Sequence, residues 1–237
     1  VSGIMHEGGT ILKSSNKDNL FHYPTHNADG TITYSDVSDE AIKNLKYLGI
    51  DALIVIGGDG TLTSARDFQR KGVPVVGVPK TIDNDLPATD VTFGYNTSLE
   101  TICDALDKIH TTAFSHDRVM VVEVMGRNSG WLALEGGLAG SADVILIPEI
   151  PFSIEKVCEY VESRYKTNYA PIIVIAEGAV PKDGDMITKD GSLDSFGHVK
   201  LSGIGEWLAQ EIEKRTGKEA RTSVLGHIQR GGTPTAF

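Results

Sequence analysis

Two short stretches concentrate groups that can handle phosphate. GGDGT (57–61) follows the apolar run DALIVI (51–56), and PKTIDND (79–85) follows PVVGV (74–78). Each run reads as a strand, so two strand ends deliver glycine backbone, carboxylates, threonines and Lys80 to one edge. Ligands of open α/β sheets bind outside the carboxyl ends of the strands. Gly58 and Gly60, at a strand-to-helix turn, let backbone N–H groups approach phosphate oxygens, and the helix N-terminus favours an anion. Asp59 offers the oxygen ligand that Mg2+ prefers, and Thr61 can donate to a phosphate. Asp83 and Asp85, two apart, project the same way if the loop is extended. One can accept a hydroxyl proton while the other serves a metal shell. Lys80 and Thr81 can meet phosphate oxygens or developing charge. The chemistry this implies is phosphoryl transfer. The plain structural alternatives are a tight βα turn with Asp59 as N-cap, and a solvated Asx-turn loop.

Four arginines flank strand ends or glycine loops: Arg118, Arg127, Arg221 and Arg230. Their forked guanidinium groups match phosphate oxygens bidentately. One such arginine alone is more often a surface residue. His227 can hydrogen-bond a sugar phosphate, and its neighbour Arg230 supports that role over a structural one. Glu177 ends an apolar run, where a carboxylate can bind sugar hydroxyls or simply serve as a cap or ion-pair partner. Asp143 and Glu149 read as structural.

The elements that must position these groups alternate. Ser38 is expected to cap a helix ended by Gly49. Strand 51–56, a helix from about 61 to 71, and strand 74–78 then form a β-α-β unit, with right-handed parallel pairing. Further helices are expected at 96–112 (buried stripe Leu99, Ile102, Leu106, Ile109), 131–139, 153–167 and 201–216. Strands are expected at 118–125, 144–148, 171–178 and 219–226. Residues 1–20 read as a loop or short strand, 22–37 as a turn-rich surface insertion, and 181–197 as a polar loop.

The 237 residues suffice for one large or two modest domains. With 40% hydrophobic and 23% charged residues, the chain suits a soluble globular protein. A net charge of −10 argues against a nucleic-acid partner. Cys103 and Cys158 are the only cysteines, which favours a reducing cytoplasm over a disulfide scaffold. No apolar run reaches the length of a membrane span.

Taken in order, GGDGT, PKTIDND, SHDRVMVVEVMGRNSGW, IPE, the strand ending in Glu177, and TSVLGHIQRGGTP resemble the phosphofructokinase family. GGDGT alone is shared with NAD kinases and diacylglycerol kinases, but PKTIDND and MGRNSG are not. The resemblance implies an α/β fold of two Rossmann-like three-layer lobes with mostly parallel sheets and the active site in the cleft between them. It implies a phosphate-donor lobe at 1–94, a fructose 6-phosphate lobe at 95–228, and the start of a return to the donor lobe at 229–237. The implied reaction places a phosphoryl group from ATP on the 1-hydroxyl of fructose 6-phosphate, a step of glycolysis, with Mg2+. By motif match Asp83 is the general base and Asp59 the Mg2+ ligand. Gly58, Asp59, Gly60 and Thr61 cradle the donor. Lys80, Thr81 and Arg127 serve the transferring phosphoryl. Met125, Gly126, Glu177, His227 and Arg230 grip the sugar phosphate. Arg118 and Arg221 match residues that reach a neighbouring subunit's site, so a homodimer or homotetramer is implied.

The sequence departs from the family pattern in places. ATP users mostly carry Gly at both diagnostic loop positions, and pyrophosphate users resemble Asp then Lys. Here Gly60 is paired with Lys80. Gly60 leaves room for the α-phosphate of ATP, and Lys80 is compatible with either donor, so ATP is expected and pyrophosphate is the alternative. Asn16, with Lys17 beside it, stands where many relatives carry an arginine bridging donor and acceptor. This motivates a third reading, a non-catalytic sugar-phosphate-binding paralogue. His110 and Asn168 replace basic effector-binding residues of regulated relatives. Against the family the chain lacks a first glycine-rich strand-turn and the final helices, so this piece alone is expected to be weakly stable or inactive.

Overall fold

The computed structural model describes residues 3–15, 19–167, 169–182, 184, 188–193, 199–201 and 203–237. They separate into two compact units: Thr10–Thr81 with Leu86–Phe93, and Val1–Gly9 with Ile82–Asp85 and Gly94–Phe237.

The smaller unit begins with an antiparallel hairpin, β1 (Tyr23–His26) and β2 (Ile32–Ser35). The region expected to be a turn-rich insertion is therefore partly strand. Pro24 and the turn residues Asn27, Asp29 and Gly30 hid it, and Pro is tolerated here because the pair is all edge. Helix α1 (Ser38–Tyr47) follows. Its expected cap needs correction: Val37 is the N-cap, and Ser38 N and Oγ both donate to Asp36 Oδ1, at 2.9 and 2.5 Å. Gly49 does end the helix, at φ +69.

Strand β3 (Leu53–Gly57), helix α2 (Asp59–Arg70) and strand β4 (Val75–Thr81) form the expected β-α-β unit, with β3 and β4 parallel from Leu53↔Val75 to Gly57↔Pro79. The short β5 (Phe93–Gly94) completes the order β3-β4-β5. Helix α2 packs on this sheet, with Leu62 against Gly77. The residues Ile54, Ile56 and Val76, at alternate positions, are exposed at 74%, 61% and 64%.

The larger unit has three layers. Its sheet runs β11-β6-β8-β7, all parallel, from β6 (Val119–Val124), β7 (Val144–Leu146), β8 (Ile172–Ala176) and β11 (Ala220–Val224). Strands β6 and β8 are buried at every position, as a sheet covered on both faces requires. Val119, Val121, Ile173 and Ile175 pack against α5 (Ile154–Tyr165) and α6 (Ile204–Thr216) in one core cluster. The alternate side chains face α3 (Tyr95–His116) and α4 (Trp131–Ala139). Close approach there depends on glycine: a Cβ on Gly136 would lie 2.8 Å from Ile102 of α3, and one on Gly137 would lie 2.9 Å from Ile145 of β7. The stretch expected as a polar loop at 181–197 contains β9 (Thr188–Leu193), which pairs antiparallel with β10 (Val199–Leu201). Among the described residues no helix is long and apolar enough to cross a membrane.

Candidate functional site

In the smaller unit the glycine turn is built by steric necessity. A Cβ on Gly57 would fall 2.5 Å from Thr61 Cβ, so Thr61 folds back over a residue that must be glycine. Gly58 is the N-cap of α2, in extended backbone, and no side chain caps the helix. Asp59 is thus the first residue of the helix and not its N-cap. Its carboxylate is exposed beside free helical N–H groups, at the positive end of the helix dipole. Thr61 and Gly60 are also exposed. A Cβ on Gly60 would meet nothing within 4 Å, so packing does not demand glycine there.

The end of β4 lies alongside this turn. A Cβ on Gly58 would sit 3.6 Å from Lys80 O and 3.8 Å from Thr81 Cβ. Thr92, 1% exposed, donates from Oγ1 to Thr81 O at 2.8 Å and so pins the last residue of β4. Lys80 is exposed. Gly58–Thr61, Lys80 and Thr81 are therefore brought together. One exposed carboxylate at a helix N-terminus fits Mg2+ that is shared with phosphate oxygens and water. No group of three or more His, Cys, Asp or Glu that would form a cage of protein ligands occurs among the described residues.

In the larger unit, Asp83 is half-buried, and its carbonyl accepts from Ser129 Oγ at 2.9 Å. Asn84 has φ +50, so the chain turns sharply there. The premise that Asp83 and Asp85 alternate along extended backbone does not hold. Ser129 N donates to Gly126 O at 2.8 Å, closing a tight turn at the end of β6. Gly126 has φ +135 and a Cβ there would lie 2.4 Å from Ser129 O; Arg127 itself has φ +50. Glu177, at the end of β8, holds this turn by accepting Arg127 N at 3.0 Å. Burial pushes its carboxyl above the ordinary value. The Arg127 N–H bond opposes that shift, and the charges of Asp83 and Glu123 add to it. Asp83, Gly126, Arg127 and Glu177 thus form one cluster.

Met125 joins the cluster to the 3-10 turn Gly226–Arg230, where its N–H donates to Gln229 Oε1 at 3.3 Å. His227 and Arg230 on that turn are exposed. Sequence reasoning passed over Gln229, Thr92 and Ser129. None carries a charge, none is given a role within or outside the motifs, and only the fold shows what each one holds.

Arg118 and Arg221 stand apart. Arg118 immediately precedes β6, and Arg221 is the second residue of β11, in register with Met120. Arg127 follows the opposite end of β6. At about 3.3 Å per residue, the strand separates the two arginines from that end by roughly 15–20 Å. Both are tied to Glu219, Arg118 Nε at 2.7 Å, and Arg221 also meets Glu213 at 2.9 Å. Glu149 accepts Gly130 N at 2.8 Å, and Asp143 accepts Ile172 N at 3.0 Å, both structural roles. His110 Nε2 lies 2.8 Å from Gly140 O. Asn16, Lys17 and Asn168 lie outside the described residues.

Parallel α/β units with a glycine turn and carboxylates at their strand ends define a phosphate-handling class of fold. The chain belongs to the phosphofructokinase family, whose family model matches residues 1–237. It is 58% identical over its full length to the pyrophosphate–fructose 6-phosphate 1-phosphotransferase of Streptomyces coelicolor, covering 66% of that protein. It is 59% identical, again over its full length, to the ATP-dependent 6-phosphofructokinase 2 of Clostridium perfringens, covering 65% of it. The chain thus spans about two-thirds of the length of these curated relatives. Among solved structures, phosphofructokinase from Saccharomyces cerevisiae matches 99% of this chain and 31% of its own, with a TM-score of 0.78 and 32% identity.

Proposed function

We propose that this chain is the substrate-binding and catalytic part of a 6-phosphofructokinase that transfers the γ-phosphoryl of ATP to the 1-hydroxyl of fructose 6-phosphate. The observation that carries this reading is the Asp83–Arg127–Glu177 cluster, held by Ser129 and following two residues after the glycine-lined end of β4. Phosphoryl transfer asks for positioning, charge neutralisation and one base.

Asp83 takes the proton of the 1-hydroxyl as that oxygen attacks the γ-phosphorus. The bond to the β,γ-bridging oxygen breaks, ADP leaves with the electron pair, and Asp83 later returns its proton to water. Lys80, Thr81 and Arg127 donate to the oxygens on which charge develops. The backbone of Gly58–Thr61 receives the donor's phosphates at the start of α2. Mg2+ bound at Asp59 would neutralise phosphate charge. Met125, Gly126, Glu177, His227 and Arg230 grip the sugar phosphate. Residues 1–94 act as the donor lobe and 95–228 as the sugar lobe, in a cytoplasmic enzyme of glycolysis.

Gly60 favours ATP as donor, because its position opens onto free space. Pyrophosphate is the second reading, supported by Lys80 and by the name of the Streptomyces relative. Steady-state assays of the full-length protein with each donor test both. Turnover with neither would defeat the proposal, and turnover with pyrophosphate alone would overturn the choice of ATP.

Arg118 and Arg221, at the far ends of their strands, serve the sugar phosphate of a neighbouring subunit in a homodimer or homotetramer.

A further inference from the structure

Within the segment Gly226–Gly232, Gln229 is the inward-facing side chain. It is 1% exposed, whereas His227 and Arg230 are exposed. Residues Gly226–Arg230 form a 3-10 helix, in which positions i and i+3 eclipse. His227 and Arg230 share the outward side, and Gly226 and Gln229 share another. Both ends of the Gln229 amide are used. Nε2 donates to Gly226 O at 3.0 Å, and Oε1 accepts Met125 N at 3.3 Å.

The sheet explains why an amide is needed here. Strands β6 and β11 pair in register to Val224↔Glu123, and Leu225 N donates to Glu123 O at 3.0 Å. In a parallel ladder the next bond would run from Met125 N to Leu225 O. Leu225 instead turns into helical backbone (φ −71, ψ −39), and the chain leaves the sheet. Gln229 Oε1 supplies the missing acceptor. Its other end fixes the first residue of the 3-10 turn. One buried side chain thereby locks the turn bearing His227 and Arg230 to the residue that leads into Gly126 and Arg127.

We propose that Gln229 is a positioning residue for the sugar phosphate: it touches no substrate but holds His227 and Arg230 in register with Met125 and Gly126. This rests on the reading of those four residues as the fructose 6-phosphate grip. In the full-length protein, Gln229→Met preserves length but offers neither donor nor acceptor. Fructose 6-phosphate affinity measured by calorimetry should fall about tenfold, with a matching rise in its KM. The donor's KM and kcat should stay within about twofold of wild type. Gln229→Glu keeps an acceptor for Met125 N but, as a carboxylate, cannot donate to Gly226 O. Protonated, it can. Its deficit relative to wild type at the same pH should therefore shrink as pH falls from about 8 to about 6, burial having raised the carboxyl. Equal losses toward both substrates, a fall in kcat alone, no change, or failure of both variants to fold would each overturn the assignment. Wild-type protein that binds fructose 6-phosphate without turning it over would sink the catalytic reading and leave the calorimetric comparison decisive for Gln229. Wild-type protein that does not bind it overturns both.

Discussion

Asp83 and Glu177 are both carboxylates in one cluster, yet their surroundings assign them different work. Glu177 is committed to backbone N–H groups of the Arg127 turn. Asp83 stands on a carbonyl anchored by Ser129 and is the group proposed to take the proton. Asp83→Ser should lower kcat by about 10²–10⁴-fold, with the fructose 6-phosphate KM little changed; near-wild-type kcat would remove Asp83 as the base. Burial raises the Glu177 carboxyl, so the folded protein keeps that proton to higher pH than the unfolded chain does. Its contribution therefore favours folding at low pH and is lost as pH rises through the raised value. Glu177→Gln abolishes this titration. Denaturant melts should show the variant gaining on wild type as pH rises from about 4 toward neutrality; a difference that does not vary with pH contradicts the burial effect. At Gly60 the open space predicts that Gly60→Asp leaves stability within about 0.5 kcal/mol, while ATP turnover drops through repulsion of the α-phosphate. Lys80→Gly should harm pyrophosphate use more than ATP use.

Two strands end in turns that depend on glycine, and one helix depends on glycine for its packing. The turn after β6 combines Gly126 at φ +135 with Arg127 at φ +50. Gly126 adopts this backbone freely, whereas for Arg127 it costs about 1–3 kcal/mol and persists where neighbours over-determine it; here Glu177 and Ser129 do so. Gly126→Ala would add a Cβ at 2.4 Å from Ser129 O. It should lower Tm by several degrees and abolish turnover, and a fully active, stable variant would refute the geometry. Helix α4 is a second case. Its glycines Gly136 and Gly137 let it wedge between α3 and the sheet, so Gly137→Ala should destabilise by about 1–3 kcal/mol through overpacking. The third is the turn after β3, where Gly57 yields its space to Thr61.

At the scale of the whole molecule, the larger unit is a three-layer body, with one core cluster spanning β6, β8, α5 and α6. Its sheet length separates Arg118 and Arg221 from the Arg127 turn, so these arginines cannot serve that turn in their own chain. Subunit exchange tests the proposed oligomer. An Asp83→Ser protein mixed with an Arg118→Ala/Arg221→Ala protein should regain activity, because hybrid contacts assemble some sites with every wild-type group. Absence of recovery after verified exchange would count against a shared site.

The sequence by itself determined the β-α-β order and the family, because apolar periodicity and glycine-carboxylate motifs are local signals, and the three-layer pattern followed only from the family resemblance. It did not reveal the β1–β2 hairpin, interrupted by Pro24 and turn residues, or β9, whose residues lack apolar alternation, and it placed the α1 cap one residue late, at Ser38 in place of Val37. Tertiary structure alone decided that Asn84 breaks the extended run between Asp83 and Asp85, that Glu177 braces a strained turn, and that Gln229 stands in for a missing sheet acceptor. Each of these depends on which backbone groups distant segments leave unpaired, and no residue type announces that along the chain.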